Sequence, residues 1–158
     1  MTNFARGLAL FVGAMFFQWW WNTHFAYWGA APQFLLVLTI LIAARRGALV
    51  AMLAGFGWGL YLDVARAELF GASALNLVLA AYLAGTVRRQ IDLRAAGPLA
   101  SATFLLTISA FVIHGMLGLI FTKSFESPGW IALLVTPFLN AIAVTVATLF
   151  WEAFWGER

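Results

Sequence analysis

The chain has 158 residues, of which 64% are hydrophobic and only 9% are charged, and its net charge is +3. A soluble domain usually carries about 25% charged residues, so this composition excludes a soluble globular protein and a disordered one. The small net charge gives no reason to expect nucleic acid as a partner. The absence of cysteine excludes a disulfide framework and a thiolate metal site. We expect a single transmembrane domain over residues 1–158, surrounded by membrane lipid.

Six apolar runs lie between charged residues and turn residues, and each predicts a membrane-spanning helix of about 20 residues. In chain order they cover about residues 4–21, 31–44, 48–62, 71–87, 98–121 and 130–155. The second and third runs are short for a span. Four spans with a buried hairpin are therefore the alternative to six.

The basic residues divide unevenly between the two ends of these spans. Six spans put both termini on one side, together with seven of the nine basic residues, whereas Arg66 and Lys123 fall on the other side. Cytoplasmic loops carry an excess of Lys and Arg, so both termini are predicted to be cytoplasmic. Trp58 and the run Trp19 to Trp21 are predicted to lie at the outer interface, which favours amphipathic rings.

Several polar residues fall inside the predicted spans, where each is costly and needs a reason. Most map to the outer half of the membrane, and one maps nearer its midplane. Hydrogen bonding between helices that fixes their packing is one interpretation. An outward-facing pocket or a docking site for a partner helix is the other. The residues of this outer polar cluster are Gln18, Ser73, Asn76, His114 and, nearer the midplane, Asn140.

The third run carries two further features that concern packing or partner binding. Gly55 and Gly59 form a GxxxG face, which lets two helix backbones approach closely, either within this chain or with a partner. Asp63 ends the run and Arg66 follows three residues later, a spacing at which the two side chains can pair on a continuing helix. Gly71 opens the next run.

No motif predicts catalysis. The sequence has no carboxylate pair within a span and no cluster with metal-ligand spacing. Ser73 and His114 lie at matching depth and could in principle pair as in intramembrane serine proteases of the rhomboid type. Those enzymes have a Gly-x-Ser-Gly motif, whereas position 74 is Ala. We therefore predict no enzyme, no catalytic residue, no cofactor and no metal.

The stretch from residue 32 to 82 resembles the MreD family of the bacterial rod-shape system. The motifs that carry the resemblance are Pro32, the basic turn Arg45-Arg46-Gly47, the signature Gly59-Leu60-Tyr61-Leu62-Asp63, the helix start Gly71-Ala72-Ser73-Ala74-Leu75, and Tyr82-Leu83. Many relatives carry polar residues at the positions just after the glycine at position 71, whereas this chain has Ala72 and Ser73 there. The length and the six-span count fit the same family.

The resemblance implies a multi-pass protein of the bacterial cytoplasmic (inner) membrane that acts as a non-catalytic scaffold of the cell-elongation, peptidoglycan-synthesising machinery. It implies MreC as a partner, with RodA, a class B penicillin-binding protein and MreB in the wider complex. The family is also similar in architecture to the substrate-binding (S) components of energy-coupling-factor transporters. A substrate-binding component of such a small-molecule transporter is therefore the alternative function.

Overall fold

The computed structural model describes residues 2–25, 31–66, 70–123 and 129–155. These residues form six α-helices and no strand, so the all-helical prediction is confirmed. The helices are α1 (Thr2–Phe25), α2 (Phe34–Arg46), α3 (Ala48–Arg66), α4 (Ala72–Val87), α5 (Ala96–Thr122) and α6 (Trp130–Trp155). By length and composition, three stretches of the described residues are able to cross a membrane: Ala48–Ala65, Ala96–Phe121 and Trp130–Ala153.

The helix bounds depart from the apolar runs in two informative places. The third helix continues past Asp63 to Arg66, and its 19 residues extend about 28 Å, close to the thickness of a hydrocarbon core. The second helix begins at Phe34 rather than at residue 31 and has 13 residues, about 20 Å. Of the two short runs, only the second therefore forms a short helix.

The short helix α2 lies at the centre of the molecule. It packs against each of the other five helices. Its residues Leu35, Ile40, Leu41 and Ala44 are almost completely buried. A helix that is apolar all round is stable only when it is enclosed in this way or faces lipid. By contrast, α3 exposes one face, so of the two short runs only α2 is enclosed by the other helices.

The helices α3 and α4 form an antiparallel pair with close backbone approach at both ends. A Cβ atom added to Gly59 would lie 2.5 Å from the backbone nitrogen of Ala74, at the start of α4. At the opposite end, a Cβ on Gly85 would lie 3.1 Å from the Cα of Ala48. Glycine at both positions lets the two helices approach closely, with only the Ala48 methyl group between them at the second position, as is common between membrane helices.

Candidate functional site

Asp63 holds the beginning of α4. One carboxylate oxygen accepts the N–H of Ser73 at 2.9 Å, and the other accepts the N–H groups of Gly71 at 2.9 Å and Ala74 at 3.3 Å. The first N–H groups of a helix have no partner inside the helix, and the positive end of the helix dipole favours an anion there. Asp63 is 2% exposed. The side chain is therefore a buried cap supplied by the preceding helix.

Two glycines make this cap sterically possible. Gly71 has φ +95°, in the left-handed region that favours glycine, and it turns the chain into α4 with its own N–H directed at Asp63. Gly59 lies one turn before Asp63 and brings α3 against the first turn of α4. The Arg66 side chain lies outside the described residues. The Asp63–Arg66 ion pair therefore remains a prediction, while both carboxylate oxygens already bond to backbone.

The other predicted glycine, Gly55, also contacts the chain itself rather than open surface. A Cβ there would lie 3.3 Å from the Leu77 side chain of α4 and 3.3 Å from the Thr39 methyl group of α2. The intervening Gly57 faces Phe11 of α1, at 2.9 Å. The GxxxG face of α3 is thus covered by neighbouring helices of the same molecule.

Asn140 and Gln18 hold the beginning of the central helix α2. The Asn140 Oδ1 accepts the N–H of Gln33 at 2.8 Å, and the Gln18 Oε1 accepts the N–H of Leu35 at 3.3 Å. The Gln18 amide also donates to the Pro32 carbonyl at 3.4 Å. Unsatisfied backbone groups are especially costly where water is absent. These two amides, from α6 and α1, supply acceptors that the start of α2 lacks.

A second bond ties Asn140 to α5. Its Nδ2 donates to the Thr107 hydroxyl at 3.1 Å, and that hydroxyl donates in turn to the Thr103 carbonyl at 2.8 Å. Asn140 and both threonines are fully buried. This chain of bonds joins α2, α5 and α6 at one level. A satisfied buried network of this kind fixes the relative positions of the helices it connects.

Arginines surround the opposite end of α2. Arg88 of α4 donates to the Ala43 carbonyl at 3.4 Å, and Arg45 pairs with Glu152 of α6 at 3.2 Å. Arg46 lies over the Trp151 ring, 5.9 Å from its centroid. Positive charge is favourable at a helix C-terminus, where carbonyl groups lack partners. We call this the basic end of the molecule.

The outer polar cluster thus divides among separate locations in the structure. Gln18 and Asn140 meet at the start of α2, whereas the backbone of Ser73 belongs to the cap at the start of α4. Asn76 follows on α4, and its buried Oδ1 has no hydrogen-bond partner among the described residues. His114 lies partly buried on α5. The bonds at Gln18, Asn140 and Ser73 therefore serve two different helix starts.

An apolar groove lies elsewhere, between α1 and α6, with α2 as its floor. Both α1 and α6 pack on α2, but the described residues of α1 and α6 do not contact each other. The groove has a volume of about 810 Å³. Gly13 and Phe17 form one wall, Ile142 and Val146 the other, and Leu41 lies in the floor. The five residues of the outer polar cluster are not part of its lining.

Sequence reasoning missed Arg88 and Glu152 and misplaced Trp58. Trp58 is fully buried instead of lying at an interface, because α1 covers this face of α3. Its Nε1 donates to the Phe11 carbonyl at 3.0 Å, and the two rings stack with centroids 5.2 Å apart. The available signal was Gly57, since a glycine beside a tryptophan leaves room for another ring. For Glu152, the signal was a carboxylate within an apolar run.

Comparison with known proteins assigns this chain to a family. A family model described as rod shape-determining protein MreD matches residues 1–155. Searches of curated proteins and of solved structures returned no match. The resemblance carried by residues 32–82 is therefore confirmed over nearly the whole length. The chain belongs to the MreD family.

Proposed function

We propose that this protein is a non-catalytic membrane scaffold of the rod-shape machinery and that it binds MreC. The observation that carries the proposal is the match of residues 1–155 to a family of rod shape-determining proteins. The buried polar side chains add support, because Asp63, Gln18 and Asn140 bond to helix starts. These bonds hold the helices in fixed positions, as a protein that supports other proteins requires.

The transporter alternative gains no support from the family match. A solute-binding component needs several polar groups that converge on a pocket. Here the oxygen atoms of Gln18, Asp63 and Asn140 are used by backbone N–H groups, and the outer polar cluster is divided between helices. The GxxxG face of α3 is likewise filled by α2 and α4. An MreC contact therefore uses other, lipid-facing surfaces.

We propose that all six helices cross the inner membrane, with both termini in the cytoplasm. The contacts Gln18–Leu35 and Asp63–Gly71 support alternating directions for α1 and α2 and for α3 and α4. The arginines of α2 and α4 then share one end of the molecule, as the positive-inside rule expects for the cytoplasmic side. The short α2 spans by being enclosed in protein and by local thinning of the bilayer.

Cysteine labelling tests this orientation directly, because the chain has no cysteine of its own. Phe70 and Gln90 are exposed and lie beyond opposite ends of α4. In right-side-out spheroplasts, an impermeant maleimide should label Phe70→Cys before lysis and Gln90→Cys only after lysis. The reverse order would invert the orientation. Labelling of both before lysis would contradict a crossing by α4.

Purification from the host membrane in mild detergent tests the scaffold role. With a tag on this chain, we expect MreC to co-elute in defined stoichiometry, with or without RodA, the penicillin-binding protein and MreB. An unrelated polytopic membrane protein with the same tag is the control for nonspecific recovery. Recovery of an ATPase pair with a transmembrane coupling protein, and no MreC, would overturn the scaffold proposal in favour of the transporter.

A further inference from the structure

The groove between α1 and α6 has the length of a membrane leaflet or more. Its lining on α1 runs from Ala9 to Phe25, two positions about 24 Å apart along the helix. Apolar side chains cover it almost throughout. Its lining includes small residues on both walls, Gly13 on α1 and Ala143 on α6. A groove of this kind matches an extended hydrocarbon chain.

Charges collect where the groove reaches the basic end. Gln18 of α1 bonds to Leu35 at the start of α2, so these two residues lie at the same level. Twelve residues closer to the basic end, about 18 Å along each helix, lie Arg6 on α1 and Gly47 after α2. Arg6 therefore lies level with the end of α2. On the three helices that form the groove, the described charges at this end are Arg6, Arg45, Arg46 and Glu152. The balance is positive.

Arg45 is unusually placed for a structural arginine. Its side chain is 8% exposed, its Nη2 bonds to Glu152, and its Nε is buried without a hydrogen-bond partner among the described residues. An unsatisfied donor on a buried cation is costly, and an anionic oxygen is its natural partner. Arg45 lies one turn beyond Leu41, which is in the groove floor.

We propose that the groove binds an anionic phospholipid, with an acyl chain along α2 and the phosphate at Arg45 and Arg46. Basic pockets between membrane helices on the cytoplasmic side are suited to such headgroups. The inference goes beyond the scaffold role, since it requires only that the protein lies in a membrane. It would hold even if MreC were not a partner.

A spanning helix of another protein is the competing occupant, and the charge at the basic end disfavours it. Spanning helices carry Lys and Arg at their cytoplasmic flank. These would meet the arginines at the basic end and be repelled. A phosphate at that position is attracted instead.

The test is lipid binding by the purified full-length protein, measured by native mass spectrometry and by thermal stabilisation. The probes are phosphatidylglycerol, phosphatidylcholine with the same acyl chains, and inorganic phosphate. We expect phosphatidylglycerol to bind at least tenfold more tightly than phosphatidylcholine, and Arg46→Gln to weaken it about five-fold, as one nearby arginine predicts. Equal affinity for the two lipids would overturn the proposal. So would stabilisation by inorganic phosphate alone that equals that of the lipid.

Two glycine variants separate the groove from the rest of the protein. Cβ atoms at Gly13 and at Gly7 would both meet open space, but only Gly13 lines the groove. Gly13→Leu should fill the groove and lower phosphatidylglycerol affinity at least tenfold, whereas Gly7→Leu should leave it unchanged. Equal affinities of these two folded variants would contradict the acyl-chain position.

Photo-crosslinking in native membranes identifies the occupant. A photoreactive maleimide attached to Gly13→Cys should give lipid adducts, because the rest of the chain contains no cysteine to react. An adduct to a spanning helix of another protein, or to a second copy of this chain, would overturn the proposal and assign the groove to that occupant.

Discussion

Replacing Gly59 with Ala should separate the two helices that form the tightest pair in the molecule. The added Cβ would lie 2.5 Å from the Ala74 nitrogen and closer still to the Ala74 Cα, whereas ordinary contacts begin at about 3.4 Å, so α4 must move by more than about 1 Å. All three atoms near this position belong to the backbone of Ser73 and Ala74. No flexible side chain can give way.

The substitution should lower the free energy of unfolding in two ways and raise it in one, and the two losses together are larger than the gain. Overpacking of a close contact costs about 1–3 kcal/mol. A shift of α4 also stretches the bonds from Asp63 to Gly71 and Ser73, now 2.9 Å each, beyond the usual hydrogen-bond range. Hydrogen bonds to a charged group contribute about 1.5–3 kcal/mol. Alanine in place of glycine favours the helix by about 1 kcal/mol. The net loss should be about 2–4 kcal/mol.

Thermal unfolding of the full-length protein in detergent, followed by tryptophan fluorescence, measures this loss. At about 2–4 °C per kcal/mol for a chain of this size, Tm should fall by about 5–15 °C. Gly7→Ala is the matched control, because its Cβ meets nothing within 4 Å and it lies outside the groove. Its Tm should stay constant or rise. A Gly59→Ala variant with the same Tm as the control would refute the close-packing argument.

Three further substitutions test the buried caps by the same melting assay. Asp63→Asn leaves one oxygen for three N–H groups, and we expect a loss of about 2–3 kcal/mol. Asn140→Leu leaves the Gln33 N–H without its acceptor and should cost about 1–3 kcal/mol. Trp58→Phe removes the indole donor from the Phe11 carbonyl and should cost about 1–2 kcal/mol.

Each of these predictions has a result that would contradict it. Thr86→Val removes an exposed hydroxyl that bonds only within α4, so its Tm sets the level expected for a neutral change. An Asp63→Asn or Trp58→Phe variant at that level would mean that the bond contributes nothing to stability. For Asn140, the informative comparison is Thr107→Val, which removes the hydroxyl bonded to Asn140 Nδ2 but retains the bond to Gln33. Equal losses in Asn140→Leu and Thr107→Val would mean that the bond to Gln33 adds nothing to stability.

The helices were predictable from the sequence because apolar runs and charged interruptions mark them locally. The run 130–155 coincides with α6, and the breaks near Gly47 and Arg88 fall where helices end. The bounds were wrong where polar side chains lie within a helix. The helix α1 continues beyond residue 21 to Phe25, and the Thr23 and His24 side chains bond to carbonyls four residues earlier instead of ending the helix.

The partners of the polar residues were not predictable in the same way. Asp63 and Arg66 are three residues apart on one helix, which suggests a local ion pair, but the carboxylate bonds to N–H groups up to eleven residues away. Asn140 reaches Gln33 across 107 residues. The sequence identifies a side chain that needs a partner. Which backbone group satisfies it depends on how the helices pack.

The bonds that close the two ends of α2 also constrain the order in which this protein is completed at the ribosome. Gln33 with Asn140, and Arg45 with Glu152, each join positions 107 residues apart. At about 5–20 residues per second, roughly 5–20 s separate the synthesis of the two partners in each pair. During that interval α2 is already made, but its polar ends lack the groups that α6 supplies. Helix α6, which is translated after α2 by that interval, therefore locks the most central helix of the molecule.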